Sequence, residues 1–90
     1  MATNTDEEWK GFSQKIKSFA DLQDNWDSYG ACKISELAIN RSKEIIWLLR
    51  LGTDCVEGVV PTNSGGIQFE IITPKGERYS IRIEEVIDEH

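Results

Sequence analysis

Apolar residues fall at Trp9, Phe12, Ile16 and Phe19, spacings of 3, 4 and 3 that lay one stripe along a helix. Lys10, Lys15 and Lys17 take the other face. Thr5-Asp6-Glu7-Glu8 has the form of a capping box, in which the Thr5 hydroxyl accepts from the Glu8 amide and the Glu8 carboxylate reaches back. The acids of this turn also suit the positive end of a helix dipole. Gly11 costs about 1 kcal/mol relative to Ala inside a helix. The pattern predicts a helix over residues 5–22. A second helix starts behind Ser35, with Ile34 and Ile39 placed as a hydrophobic staple and Glu36 in the first turn. Ala38, Ile39, Ile45, Ile46, Leu48 and Leu49 read as one broad apolar face, Arg41, Lys43 and Glu44 as solvent-facing, and Gly52 as the stop, giving a helix over 35–51. Trp47 falls off the stripe, so it either touches a sheet edge or stands partly exposed.

From Cys55 the period changes to two. Val56-Glu57-Gly58-Val59-Val60 reads as a short strand ended by Pro61, and Thr62-Asn63-Ser64-Gly65-Gly66 as a loop of turn formers. Ile67, Phe69 and Ile71 alternate with Gln68, Glu70 and Ile72; after the tight turn Thr73-Pro74-Lys75-Gly76, Tyr79, Ile81 and Ile83 alternate with Ser80, Arg82 and Glu84. Strands are predicted over 55–60, 66–73 and 77–84. The fold class is α+β: two N-terminal helices packed on a three-stranded antiparallel β-meander, ααβββ, as one domain over residues 1–90. An acidic tail, 85–90, either docks Val86 and Ile87 or frays.

Between the helices lies Asn25-Trp26-Asp27-Ser28-Tyr29-Gly30-Ala31. Loops seldom carry two large aromatics, because their apolar area gains nothing from loop solvation. Two readings follow. Trp26 plugs the core while Asp27 or Asn25 caps local amides and Gly30 takes a left-handed turn; or Trp26 and Tyr29 form an exposed anchor of the kind enriched in interface hot spots.

Composition narrows the function. Hydrophobic residues make up 39% of the 90, with three Trp and three Phe, enough for a core in one small domain. A net charge of −6 argues against direct binding of nucleic acid or anionic membranes, which call for clustered Lys and Arg. No run approaches the roughly 18 apolar residues of a membrane span, and Met1–Asp6 is neither a basic nor an apolar signal segment, so a cytoplasmic protein is expected. Cys32, Cys55 and His90 are the only residues of their types. Structural zinc takes about four such ligands, so no metal and no cofactor are expected. The cysteines read as two partly buried thiols, with a Cys32–Cys55 disulfide as the alternative.

Catalytic patterns are missing: no phosphate-binding Gly-rich loop and no Ser-His-Asp set, so no catalytic residue is assigned and no enzyme is expected. Glu70, between Phe69 and Ile71, is the one carboxylate flagged by an apolar setting. It reads as a cross-strand ion pair with Arg78 or Arg82 worth roughly 0.2–1 kcal/mol, as a partner contact, or as a catalytic acid. Acidic clusters recur at Asp6-Glu7-Glu8, at Asp21, Asp24 and Asp27, and at Glu84, Glu85, Asp88 and Glu89. They form either an ordinary solvated surface or a face that docks on the basic nucleic-acid-binding groove of a partner.

The loop N-W-D-x-Y-G-A (Asn25, Trp26, Asp27, Tyr29, Gly30, Ala31), followed by a helix and then by P-T-x-x-G-G-I-x-x-E (Pro61, Thr62, Gly65, Gly66, Ile67, Glu70), resembles a widespread group of small, uncharacterised bacterial and phage proteins. The likeness spans residues from about 20 to 85. Members often carry Pro after the loop and Trp after the Glu, where this chain has Ile34-Ser35 and Ile71. The resemblance implies a bacterial or phage-borne, cytoplasmic setting and transfers no activity.

The expectation is a small acidic, non-catalytic protein-binding module, a phage or mobile-element inhibitor of a nucleic-acid-targeting host defence complex in the manner of anti-CRISPR proteins. Its partner-binding residues would be Trp26, Asp27, Tyr29, Asp21, Asp24, Glu70, Glu84 and Glu85. The alternative is a self-associating or antitoxin-like regulatory protein, a homodimer among its forms, that uses a strand edge at Cys55–Val60 and an exposed Trp47.

Overall fold

Thr5 starts the first helix as its sequence predicts. The Thr5 hydroxyl accepts from the Glu8 amide at 3.2 Å and Glu8 Oε1 accepts from the Thr5 amide at 2.9 Å, so two otherwise orphaned donors are satisfied. The computed structural model describes residues 4–84. Helix α1 runs Asp6–Ser18 and tightens into a 3-10 turn, Phe19–Asp21, in place of one continuous helix to residue 22. Helix α2, Glu36–Leu51, is capped by Ser35, whose hydroxyl accepts from the Ala38 amide at 3.0 Å. It stops at Gly52, which is extended rather than left-handed. Strands β1 (Cys55–Pro61), β2 (Ile67–Ile72) and β3 (Arg78–Ile83) form an antiparallel sheet in the order β1-β2-β3. The architecture is α+β in the order ααβββ. The tail, with Glu85, Val86 and Ile87, lies outside the described residues.

Both helices cover one face of the sheet. The strictly alternating burial of β2 puts Ile67, Phe69 and Ile71 under them, with Val56 and Val59 of β1 alongside. Trp9, Ile16 and Phe19 come down from α1, and Ala38, Ile39 and Ile46 from α2. Trp9 meets Phe12 edge to face, with ring centroids 6.2 Å apart. An Arg50–Asp6 ion pair of 2.7 Å joins the end of α2 to the start of α1, so the helices run antiparallel. Both partners are largely solvated, and the pair adds little stability.

One apolar expectation changes. Leu48 is 60% exposed and leaves the core face, because at about 100° per residue it stands about 120° round the helix from Ser42, near the middle of the core stripe. Its place in the core stripe is taken by Ser42, which is fully buried with no partner for its hydroxyl. An unpaired buried hydroxyl costs roughly 1–3 kcal/mol, and Ala is also the better helix former. Ser42→Ala should therefore raise stability by about 1–2 kcal/mol in urea denaturation; a loss of stability would show a hidden partner.

The cysteines are not joined. Cys55 opens β1, whereas the Cys32 amide donates to Asn63 O beyond the far end of that strand. Seven residues at about 3.3 Å each keep the two thiols well outside bonding range.

Candidate functional site

The loop after α1 is built by its own acid and amide side chains. Asp27 Oδ1 accepts from the amides of Tyr29 (2.8 Å) and Ala31 (3.0 Å), Asn25 Oδ1 from Gly30 (2.6 Å), and Asp24 Oδ1 from Lys33 (2.9 Å). These bonds stand in for the missing helix ladder and hold Asn25, Ser28 and Gly30 at positive φ (64, 65 and 84°). Asn tolerates that region and Gly favours it; Ser28 is held there by its neighbours.

The two aromatics separate. Trp26 is half-buried, its ring packed on the core cluster and its indole N–H donating to Cys32 O at 2.9 Å. Tyr29 stands 91% exposed. The chain beyond the loop then runs along the β1–β2 turn, with the Cys32 amide donating to Asn63 O (2.8 Å) and the Ser35 amide to Gly65 O (2.9 Å). The segment that follows the loop therefore lies against the β1–β2 turn. Thr62 closes the turn, its hydroxyl accepting from the Gly66 amide at 2.9 Å.

The carboxylates singled out from sequence divide between two places. Asp21, Asp24 and Asp27 lie at the end of the 3-10 turn and in the loop, the last two engaged with backbone amides. Glu70 and Glu84 lie on the sheet face turned away from the helices. Glu85 is outside the described residues. Glu70 forms no ion pair with Arg78 or Arg82. The β2–β3 register sets Glu70 opposite Ser80 and Gln68 opposite Arg82, so Arg82 donates to Gln68 Oε1 (2.9 and 3.1 Å) while Arg78 turns to Glu57 (3.1 Å). Hydrogen bonds donated by Gln68 and then Ser80 hold the Glu70 carboxyl below the usual range, against a small opposing effect of burial. Glu84 accepts from Ser64 and lies 3.8 Å from Arg82. Tyr79, on the helix-facing side, donates its hydroxyl to Asp54; that bond, then burial and the Asp54 charge, raise its pKa.

The largest apolar exposure is on α2. Trp47, Leu48 and Leu51 are 63, 60 and 69% exposed, with Leu37 further back along the same side. At about 100° per residue these residues form a stripe about 100° wide, centred opposite the core-facing side chains. Trp47 and Leu48, with Lys43 and Glu44, line a shallow depression there. Leu48 belongs to a second set of apolar positions, 37, 47, 48 and 51, in opposite phase to the core stripe on the same helix, and that phase is the sequence signal for this face.

Among the described residues no group of His, Cys, Asp and Glu could hold a metal ion, and no helix is long and apolar enough to cross a membrane. Compared with protein-family models, with curated proteins and with solved structures, the chain matches none.

Proposed function

We propose that this chain is a non-catalytic protein-binding module that docks its partner through the outer face of α2. The observation that carries the reading is the exposure of Trp47, Leu48 and Leu51 on the side of α2 that the fold leaves uncovered. Trp is the residue type most enriched at binding hot spots, and a contiguous apolar stripe on a small domain marks an interaction surface. The stripe is rimmed by Arg41, Lys43 and Arg50 against Glu36 and Glu44. Asp6 pairs with Arg50 and leaves this rim balanced in charge, so a fitting partner offers an apolar groove with a mixed polar rim. The finer reading, an inhibitor of a nucleic-acid-targeting defence complex, draws support from the net charge of −6.

The test uses the tagged chain as bait in native lysate of its source cell, beside a Trp47→Ala/Leu51→Ser variant. Both side chains are mostly solvated, so the variant should keep wild-type stability within about 0.5 kcal/mol. A partner captured by the wild type and lost by the variant supports the docking face. A partner retained equally by both refutes it.

A further inference from the structure

The two edges of the sheet differ. The β1 edge, which sequence reading left open at Cys55–Val60, is closed at Val56. There the Asn4 side-chain amide accepts from the Val56 N–H (2.7 Å) and donates to the Val56 carbonyl (2.9 Å), as an incoming strand would. An irregular register between Val56 and Gly58 and Pro61 at the strand end complete the block. The β3 edge has no such device. Arg78–Ile83 runs in unbroken register with β2, without Gly, Pro or bulge. Among the described residues no strand pairs with its outer side. Its sequence, Arg-Tyr-Ser-Ile-Arg-Ile, favours the extended state. The row facing the helices is incompletely covered, with Tyr79 38% exposed and Ile81 and Ile83 half-buried.

We propose that a second copy of this chain fills that edge, β3 pairing antiparallel with β3 about a two-fold axis at Ile81, so that one sheet runs through both copies. The pleat and the charges favour this register over its neighbours centred on Ser80 and Arg82. A slip of one residue sets the apolar row of one copy against the polar row of the other. Centring on Ser80 sets Arg78 opposite the partner's Arg82, and centring on Arg82 sets that residue opposite its own copy; like charges directly opposed destabilise a ladder. Centring on Ile81 sets Arg78 opposite the partner's Glu84, Ser80 opposite the partner's Arg82, and Tyr79 opposite the partner's Ile83. Opposite charges pair on one face, and an aromatic meets a β-branched residue on the other. Arg78 and Arg82 meet carboxylates of their own copy, Glu57 at 3.1 Å and Glu84 at 3.8 Å, so on pairing Arg78 exchanges Glu57 for the partner's Glu84.

Sedimentation equilibrium on the full chain tests the register. The wild type should dimerise, and Arg78→Glu or Glu84→Arg alone should each weaken the dimer at least about tenfold, since each places like charges in both symmetric contacts. The double variant Arg78→Glu/Glu84→Arg restores opposite charges and should recover the wild-type constant to within about threefold. Isotope-filtered Overhauser contacts from the Tyr79 ring to the partner's Ile83 methyls, measured on the wild type, need no variant to fold. A wild type that stays monomeric at about millimolar concentration overturns the proposal. So does a dimer without those contacts, one insensitive to the charge exchange, or one dissociated by Trp47→Ala. A negative result leaves the α2 docking reading standing, because that surface lies on the other layer of the fold.

Discussion

Gly66→Ala should remove more than about 4 kcal/mol of stability, enough to leave a domain of this size largely unfolded at 25 °C. Gly66 enters β2 directly beneath the end of β3. A Cβ built there overlaps the Ile83 backbone carbonyl, presses on Glu84 Cγ and comes within 3.1 Å of the Thr62 hydroxyl. A backbone carbonyl cannot rotate away as a side chain can, so the β2–β3 ladder must part at its Ile67–Ile83 pair. The Thr62–Gly66 closure of the turn is lost with it. Gly11→Ala is the matched control. Nothing lies within 4 Å of a Cβ at Gly11, and the exchange on a helix should stabilise by about 0.5–1 kcal/mol. Denaturant titration of both variants decides the matter, and a Gly66→Ala protein within about 1 kcal/mol of wild type would contradict the strand geometry.

Trp26→Ala should cost about 2–4 kcal/mol, below the range for a fully buried Trp because this ring is only half-buried. The loss comes from apolar area on the core cluster together with the indole bond to Cys32 O, the tie between the loop and the segment that leads into α2. The carboxylate and amide bonds of Asp24, Asn25 and Asp27 do not involve the ring, so the loop should keep its form and the variant should fold. Tyr29→Ala, at the most exposed side chain of the loop, should leave stability within about 0.5 kcal/mol. Equal losses from the two substitutions would mean that the aromatics share one environment, contrary to their placement.

What the sequence made legible was local. The Thr5 and Ser35 caps, the alternation along β2 and the left-handed Gly30 each depend on a few neighbouring residues, and each stands where the pattern puts it. Strand limits fall within about one residue of expectation, as local hydrogen-bond rules allow. What escaped depends on register and on distant partners. Asn4 closes β1 at Val56 across 52 positions of sequence, and no local pattern announces that pairing. Glu70 lost its arginine because the ladder offsets Arg82 by one cross-strand pair and offers it Gln68 first. The helical period of α2 was visible, but two apolar stripes of opposite phase read as one broad face until the sheet showed which side was covered. The outer face of α2 therefore joins the aromatic loop as a candidate surface: Trp26 packs on the core and Tyr29 stands exposed, while Trp47, Leu48 and Leu51 lie on a helix face that the fold leaves uncovered.

On the function proposed above, a protein partner docks on the outer face of α2. The direct measurement is a calorimetric titration of the captured, purified partner with wild type, Trp47→Ala/Leu51→Ser and Tyr29→Ala. The α2 variant should lose at least about a hundredfold in affinity while Tyr29→Ala binds like wild type. Full affinity in the α2 variant with loss in Tyr29→Ala would contradict that docking and return the site to the loop.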